Sequence, residues 1–304
     1  MSLLVLQGAL EQGLIYAFVA LGLYLSYRTL DIADLTTDGT FALGAACSAI
    51  FTTMGHPILG IFAAMCAGAA AGGVTALLQT KLRVLPILAG IITMTALYSV
   101  NLMVMGNKSN LPMRKNDNIF TLAEGLFGTN YGKLITIAAI LFVVVVLLIL
   151  FLRTQLGLSL RATGDNRDMV AASSINPAVT TALGLCMANA LVALSGALLA
   201  QYQKFADVSL GTGMVVIGLA GLIIGEVLLV RGGRGGIVRG ILAAVIGSVL
   251  YRGLMAAALT SNVNANNLKL VSALIVAAAI SYPAIREKIE FHKLRKASAA
   301  NVKN

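Results

Sequence analysis

Nine apolar runs, most of them long enough to cross a bilayer, divide this chain and leave few ways for it to fold. A transmembrane helix needs about 20 consecutive apolar residues. Charged residues make up only 11% of the chain, whereas a soluble domain typically carries about 25%. The runs cover about 9–27, 39–54, 57–80, 84–105, 131–152, 178–201, 212–230, 237–259 and 267–285. The sequence therefore predicts an all-α, polytopic membrane helical bundle of about nine transmembrane helices.

The distribution of positive charge predicts how this bundle is oriented. With the N-terminus outside the cell, 15 of the 22 lysines and arginines fall on cytoplasmic segments, as the positive-inside rule requires. We expect a multi-pass protein of a bacterial-type plasma or inner membrane, with a basic cytoplasmic tail at 286–304. Its charge of +10 then faces the cytoplasm and the anionic lipid of the bilayer. We therefore interpret Arg231–Gly236 as a turn between helices and expect no nucleic-acid partner.

The polar stretch Arg28–Gly44 interrupts the apolar pattern and carries Asp31, Asp34 and Asp38. Even low estimates put a carboxylate in mid-membrane at about +2.5 kcal/mol. The stretch is therefore expected either at a membrane edge or lining a polar cavity between helices. Two roles remain open for its Thr36-Thr37-Asp38 group: capping the second span, or contacting substrate and gating the path.

A weak internal repeat relates this stretch to a later one. Ala33–Thr40 is echoed by Ala206–Gly213, and Gly60–Ala64 is echoed by Gly240–Ala244. Five spans separate the two copies, and an odd number inverts the second copy relative to the first. The sequence therefore predicts an inverted repeat of spans 1–4 (about 1–105) and spans 6–9 (about 178–285), as many transporters have.

A few polar residues lie within the apolar runs, and each lines a pathway or hydrogen-bonds a neighbouring helix. They are Glu11, Gln12, Asn101, Asn189 and Glu226. The glycines of the small-residue run 68–73 are expected to let helices pack closely. We expect no metal site, because the sequence shows no cluster of metal-ligand spacing. It shows neither a phosphate-binding loop nor a nucleophile–His–carboxylate set, so an enzyme is not expected.

The connection 154–177 is the most informative of the predicted cytoplasmic segments. Gly164, Asp165 and Asn166 supply N-cap acceptors, and a helix is expected from Asp168 onward. The apolar side chains of this helix are mostly small, so it buries little surface of its own. It either docks into a cleft on a partner or lies on the surface in solvent.

Three segments in the right order carry a resemblance to a known family. Leu160–Asn176 resembles a cytoplasmic loop of the permease subunits in the branched-chain amino acid, ribose and nucleoside branch of ABC importers. Ile223–Gly240 resembles that family's glycine-rich stretch, and Asp34–Ala46 looks closest to its tryptophan/tyrosine-type importers. The sequence departs from the family pattern at Ser174, where many relatives have glycine, and at Glu226, where threonine or serine is usual.

The resemblance implies a transport assembly with several subunits. Two permease copies, expected as a homodimer, form the pore; two cytoplasmic ATPases bind ATP and magnesium; an extracytoplasmic substrate-binding protein delivers the solute. This chain itself would bind no cofactor, and 1–285 would form its transmembrane permease domain. ATP-driven alternating access would move a small solute inward, an amino acid of the aromatic or branched-chain class.

The residues expected to work fall into two groups. The ATPase-coupling group is Arg161, Gly164, Asp165, Asn166, Arg167 and Ala171. The group expected to line or gate the path is Asp34, Thr36, Thr37, Asp38, Gly39, Asn101, Asn189, Asp207 and Glu226. Two alternatives remain open: an ion-coupled secondary transporter that uses Asp34, Asp38 or Glu226, and a membrane scaffold without transport.

Overall fold

Helices account for nearly all of the computed structural model, which describes residues 3–113, 117–128, 131–229, 236–260, 270–278 and 281. The helices are α1 (Leu3–Leu23, continued by a π-helical turn, Tyr24–Thr29), α2 (Thr36–Thr53), α3 (Pro57–Thr80), α4 (Pro86–Val104), α5 (Ile119–Phe127), α6 (Gly132–Arg153), α7 (Gln155–Asp165), α8 (Arg167–Ala172), α9 (Pro177–Gln203), α10 (Met214–Leu229) and α11 (Ile237–Thr260). Two short strands, β1 (Asn110–Pro112) and β2 (Phe205–Asp207), pair antiparallel, and a 3-10 turn (Val208–Gly211) leads from β2 towards α10.

The prediction of a helical membrane bundle is confirmed. Seven helical segments of the described chain are long and apolar enough to cross a membrane. The 18-residue α2, which carries the polar stretch at its start, is not among them. The ninth predicted span falls partly outside the described residues. Of its residues, 270–278 are described and are helical. Nine spans and the inverted repeat therefore stay predictions, and both Arg231–Arg234 and the tail 286–304 lie outside the described residues.

Helix α9 forms the centre of the bundle and packs against α1, α2 and α3. In its most apolar window 72% of the residues are buried, against only 17% in α6. The outward side chains of α6 are large and apolar, as a lipid-facing helix requires. The amino end of α2 therefore meets the buried interior, whereas α6 lies at the periphery.

Small residues let α9 approach its neighbours closely. A Cβ on Gly44 would lie 2.1 Å from the carbonyl oxygen of Ala193, and one on Gly196 would lie 2.0 Å from that of Phe41. Gly68 and Gly72 of α3 meet α9 in the same way. The expected packing role is thus confirmed for these two glycines. Within a bilayer the hydrophobic effect does not drive helices together, so close backbone packing of this kind stabilises the helix pairs.

The segments predicted to be cytoplasmic gather at one end of the bundle. Leu30, Ala76, Leu160 and Leu185 form one buried cluster, which brings the π-helical turn, the end of α3, α7 and the start of α9 together. The strands β1 and β2, which belong to segments predicted to be external, pair at the other end of α9. This grouping agrees with spans that cross the membrane in alternating directions.

Candidate translocation site and coupling loop

The chain between the π-helical turn and α2 turns into the bundle, where Asp34 is only 3% exposed. One carboxylate oxygen of Asp34 accepts a hydrogen bond from the backbone N–H of Thr36 (2.9 Å), and the other accepts one from the Asn189 amide (2.7 Å). Asn189 is the thirteenth of the 27 residues of α9, so this carboxylate lies near the middle of that helix. Asp34 is thus buried between helices within a polar cluster and not at the surface of the bundle.

Three threonine hydroxyls continue this polar cluster towards α3 and α4. The hydroxyl of Thr36 lies 2.8 Å from that of Thr75, which in turn donates to Thr93 over 3.0 Å. The Thr37 hydroxyl donates to the carbonyl oxygen of Asp34 (3.1 Å). Buried polar groups cost free energy unless they are paired, and these bonds supply the pairing. The start of α2 is thereby tied to three neighbouring helices.

Asp38 binds the amino end of a different helix from the one expected. Its carboxylate accepts hydrogen bonds from the backbone N–H groups of Gly213 (2.8 Å) and Val215 (2.9 Å), at the start of α10. No side chain makes a capping bond from the residue before α2. Of the two roles left open for the Thr36-Thr37-Asp38 group, a capping bond to α2 is not made by Asp38, which lies in the first turn of α2 but accepts from the N–H groups of α10. The first turns of α2 and α10 thus meet inside the bundle.

The backbone beside this contact allows no larger residue. A Cβ on Gly211 would lie 1.8 Å from the carbonyl oxygen of Asp38. The 3-10 turn therefore rests directly on the first turn of α2. This contact holds the start of α10 at the level of the Asp38 carboxylate.

A cavity of about 70 Å³ opens next to Asp38. The Asn101 amide donates to the carbonyl oxygen of Gly39 (3.2 Å), while its side-chain oxygen has no partner among the described residues. The cavity is lined by Asp38, Gly39, Ala42, Met94, Tyr98, Asn101, Val208, Gly211 and Thr212. Of the residues expected along the path, the structure thus brings Asp38, Gly39 and Asn101 together at one cavity.

Two residues of the same expected group lie elsewhere. Asp207 hydrogen-bonds Ser209 and Asn110 in the β2 region. Partial burial would raise the pKa of Asp207, but the hydrogen bonds from Ser209 and Asn110 outweigh it and lower the pKa. Glu226, near the carboxyl end of α10, forms an ion pair with Arg28 of the π-helical turn (3.0 Å). Neither residue lines the cavity.

The two polar residues early in α1 hydrogen-bond their neighbours. Glu11 accepts from the Tyr202 hydroxyl (2.9 Å), and Gln12 accepts from Arg252 (2.8 Å). The guanidinium of Arg252 also lies 5.1 Å from the centre of the Tyr16 ring. These contacts favour the interpretation that Glu11 and Gln12 hydrogen-bond neighbouring helices and do not line a pathway.

Sequence reasoning missed Gln201 of α9, which is 1% exposed. Its amide nitrogen donates to the Ser48 hydroxyl and to the carbonyl oxygen of Pro57, each over 3.0 Å. Its side-chain oxygen accepts from the backbone N–H of Ile119 (3.0 Å). A lone glutamine at the end of an apolar run gave the only signal. Gln201 joins α2, α3 and α5 at the end of the bundle opposite α8.

The connection 154–177, which is expected to act as the coupling loop, contains two short helices, α7 and α8. The Asn166 side chain accepts from the backbone N–H of Met169 (3.0 Å), so the predicted N-cap is confirmed at that residue. Helix α8 runs from Arg167 to Ala172, whereas the sequence indicates a helix from Asp168 to Ser174. Ser174 then adopts a left-handed conformation (φ +62°), so serine keeps the kind of turn for which glycine is favoured.

The loop presents one side to solvent and packs the other on the bundle. Val170 is buried and Met169 is 69% exposed, and the expected coupling residues Asp165, Arg167 and Ala171 are exposed as well. Gly164 lies against the π-helical turn, where a Cβ would come within 2.0 Å of the carbonyl oxygen of Thr29. Arg161 is partly buried, and its Nε has no partner among the described residues.

Comparison with known proteins identifies the family. Residues 5–279 match the model of the family described as branched-chain amino acid transport system / permease component. The chain is 36% identical to the tyrosine transport system permease protein of Clostridioides difficile (88% of each chain), and 37% identical to the uncharacterized protein RP368 of Rickettsia prowazekii (90% of this chain, 95% of the relative).

A more distant relative is the ribose import permease protein RbsC of Escherichia coli, 27% identical over 81% of this chain and 76% of the relative. No solved structure matches the chain. The expected resemblance is confirmed, and the relatives with a stated role are permeases. The chain belongs to the family of permease components of branched-chain amino acid transport systems and is a membrane transport subunit, not an enzyme.

Proposed function

We propose that this chain is the transmembrane permease subunit of an ABC importer that moves an amino acid inward by ATP-driven alternating access. The observation that carries the proposal is the contact of Asp38 with the amino end of α10 inside the bundle. Transporters commonly place such interrupted helices, with their amino ends directed inward, at the solute path. Here α2 and α10 enter from opposite ends, and their first turns meet beside a cavity.

A chain of contacts supports coupling between the loop and this path. Helix α8 follows α7, whose Gly164 rests on the carbonyl oxygen of Thr29. Arg28 of the same π-helical turn is paired with Glu226 of α10. A push on α8 from an ATPase would therefore be passed to α10, and from α10 to Asp38.

The remaining parts of the proposal concern partners and placement. The exposed side of α8 would bind a cytoplasmic ATPase that holds ATP and magnesium. A second permease copy would complete the pore as a homodimer, an extracytoplasmic binding protein would deliver the solute, and the C-terminus would lie in the cytoplasm. The tyrosine transport relative supports an aromatic amino acid as the solute. We also propose the inverted repeat of spans 1–4 and 6–9 as the pair of units that reorient.

The test is reconstitution of the permease with its ATPase and binding protein in proteoliposomes. Wild type should take up an aromatic amino acid with ATP, and the binding protein should stimulate ATP hydrolysis. The double variant Asp165→Lys, Arg167→Glu should keep basal hydrolysis but lose that stimulation. Asp165→Glu, Arg167→Lys, which keeps both charges at the same two exposed positions, is the control and should keep the stimulation.

The outcomes separate the alternatives. Unchanged stimulation in the double variant would refute the coupling role of α8. Uptake that continues without ATP but collapses with an ion gradient would indicate a secondary transporter. Failure of the wild-type assembly to take up any amino acid or sugar would favour the scaffold interpretation.

A further inference from the structure

We propose that the cavity beside Asp38 binds the ammonium group of the transported amino acid. The inference rests on the proposed function and names the chemical group that its path recognises. The cavity lies between the first turn of α2, the middle of α4 and the 3-10 turn before α10. Its polar side chains offer acceptors that remain unused, which is the pattern a cationic donor requires.

The carboxylate of Asp38 is the first of these acceptors. Each of its oxygens accepts one backbone N–H, from Gly213 and from Val215. A carboxylate has about four lone-pair positions, so at least one remains for another donor even when the neighbouring backbone N–H of Met214 is counted. These backbone N–H groups also fix the carboxylate in place.

The side-chain oxygen of Asn101 is the second acceptor. Asn101 is only 1% exposed, and its amide nitrogen is held by the carbonyl oxygen of Gly39, 3.2 Å away. Its oxygen is buried without a partner among the described residues. Leaving such a group unsatisfied costs about 1–3 kcal/mol. Asn101 also lines the cavity, so a small movement of its side chain would bring this oxygen to a donor there and recover that cost. An ammonium group carries three N–H donors.

The cavity is large enough to receive the head group of an amino acid. Its volume of about 70 Å³ exceeds the roughly 10–15 Å³ that one water molecule needs in the same measure, and an ammonium group is of similar size to a water molecule. Met94 and Tyr98 form part of the lining and are 36% and 57% exposed, so the side chain of the solute would lie against them. An aromatic side chain would pack well on that surface.

The decisive experiment compares two substitutions of Asn101 in the reconstituted assembly. Asn101→Leu and Asn101→Asp both remove the amide donor to Gly39, but only aspartate keeps an acceptor oxygen. If Asn101 acts only as a structural donor, both variants should fail alike. If its oxygen receives the ammonium group, Asn101→Asp should transport and Asn101→Leu should not.

We expect the two variants to differ in the maximal rate at which they take up an aromatic amino acid. Asn101→Leu should lower it about tenfold to a hundredfold, the value of one hydrogen bond to a charged group. Asn101→Asp should stay within about threefold of wild type, because a carboxylate binds ammonium at least as strongly as an amide does. The half-saturating concentration of loaded binding protein should not change in either variant. Thr95→Val, an exposed change on the same helix, is the matched control.

Two results would overturn the inference while leaving the proposed function intact: wild-type uptake by Asn101→Leu, or equal loss in both variants at normal protein yield. Absence of uptake in wild type would instead refute the proposed function. A further arm of the uptake experiment replaces the sodium of the assay buffer with choline. Unchanged uptake is expected. A tenfold loss in wild type, with a sodium dependence that shifts in Asn101→Asp, would mean that an inorganic cation occupies the cavity.

Discussion

Replacing Asp38 with asparagine is expected to loosen the first turn of α10 by a calculable amount. The carboxylate accepts two backbone hydrogen bonds, at 2.8 Å and 2.9 Å, and a bond to a charged group contributes about 1.5–3 kcal/mol. Asparagine keeps one acceptor oxygen without charge and turns an N–H₂ group towards the second donor. The expected loss is therefore about 2–4 kcal/mol, which corresponds to roughly 30-fold to several hundred-fold more frequent opening.

Hydrogen exchange measures this opening directly. In detergent or nanodiscs, the amides of Gly213 and Val215 should exchange faster in Asp38→Asn by that factor. The control is Asp207→Asn, because Asp207 accepts from the backbone N–H of Ser209 (2.8 Å) and makes no bond to α10 among those described. The control should speed exchange at Ser209 alone. Exchange at wild-type rates in Asp38→Asn would refute the reasoning that this carboxylate holds the start of α10.

Three further predictions concern stability and use the thermal unfolding midpoint of the purified protein. Ser174→Gly should stabilise by roughly 0.5–1 kcal/mol, because the left-handed conformation of Ser174 disfavours any side chain; a lower midpoint would contradict this. Gly225→Ala should destabilise by about 1–3 kcal/mol, since its Cβ would lie 1.8 Å from the carbonyl oxygen of Ala243; an unchanged midpoint would show that the helices separate easily. Glu226→Gln should cost less than about 1 kcal/mol, because the side chains of Arg28 and Glu226 are 53% and 26% exposed; a larger loss would mean that the pair is a major support.

Features that depend on neighbours in sequence were predictable. In lipid, each spanning segment must make its backbone hydrogen bonds within itself, so apolar runs indicate helices directly. Pro57 and Pro86 begin α3 and α4, because proline fits the first helical turn. Asn166 caps α8 through a bond three residues away. Each of these signals is complete within a few residues.

Features that depend on distant partners were not predictable. The donors to Asp38 lie 175 and 177 residues away, so local reasoning assigned its carboxylate to the nearest helix. Asp34 and its counterpart in the repeat, Asp207, were both expected along the path, but the pairing of β1 with β2 places Asp207 beside Asn110. Such differences arise from packing, which a short repeated motif does not specify.

The π-helical turn at the end of α1 has a consequence for how this region tolerates changes in length. A π-helical turn holds about one more residue than an α-helical turn. If the same residues wound as a regular α-helix, in which each residue turns by about 100°, Arg28 would rotate away from Glu226 and the Thr29 carbonyl would leave Gly164. Deleting one residue before Arg28 would instead let a regular helix form with Arg28 and Thr29 close to their present positions. The link that we propose between the connection 154–177 and the solute path thus depends on how this turn is wound, even where the chemical character of each side chain is kept.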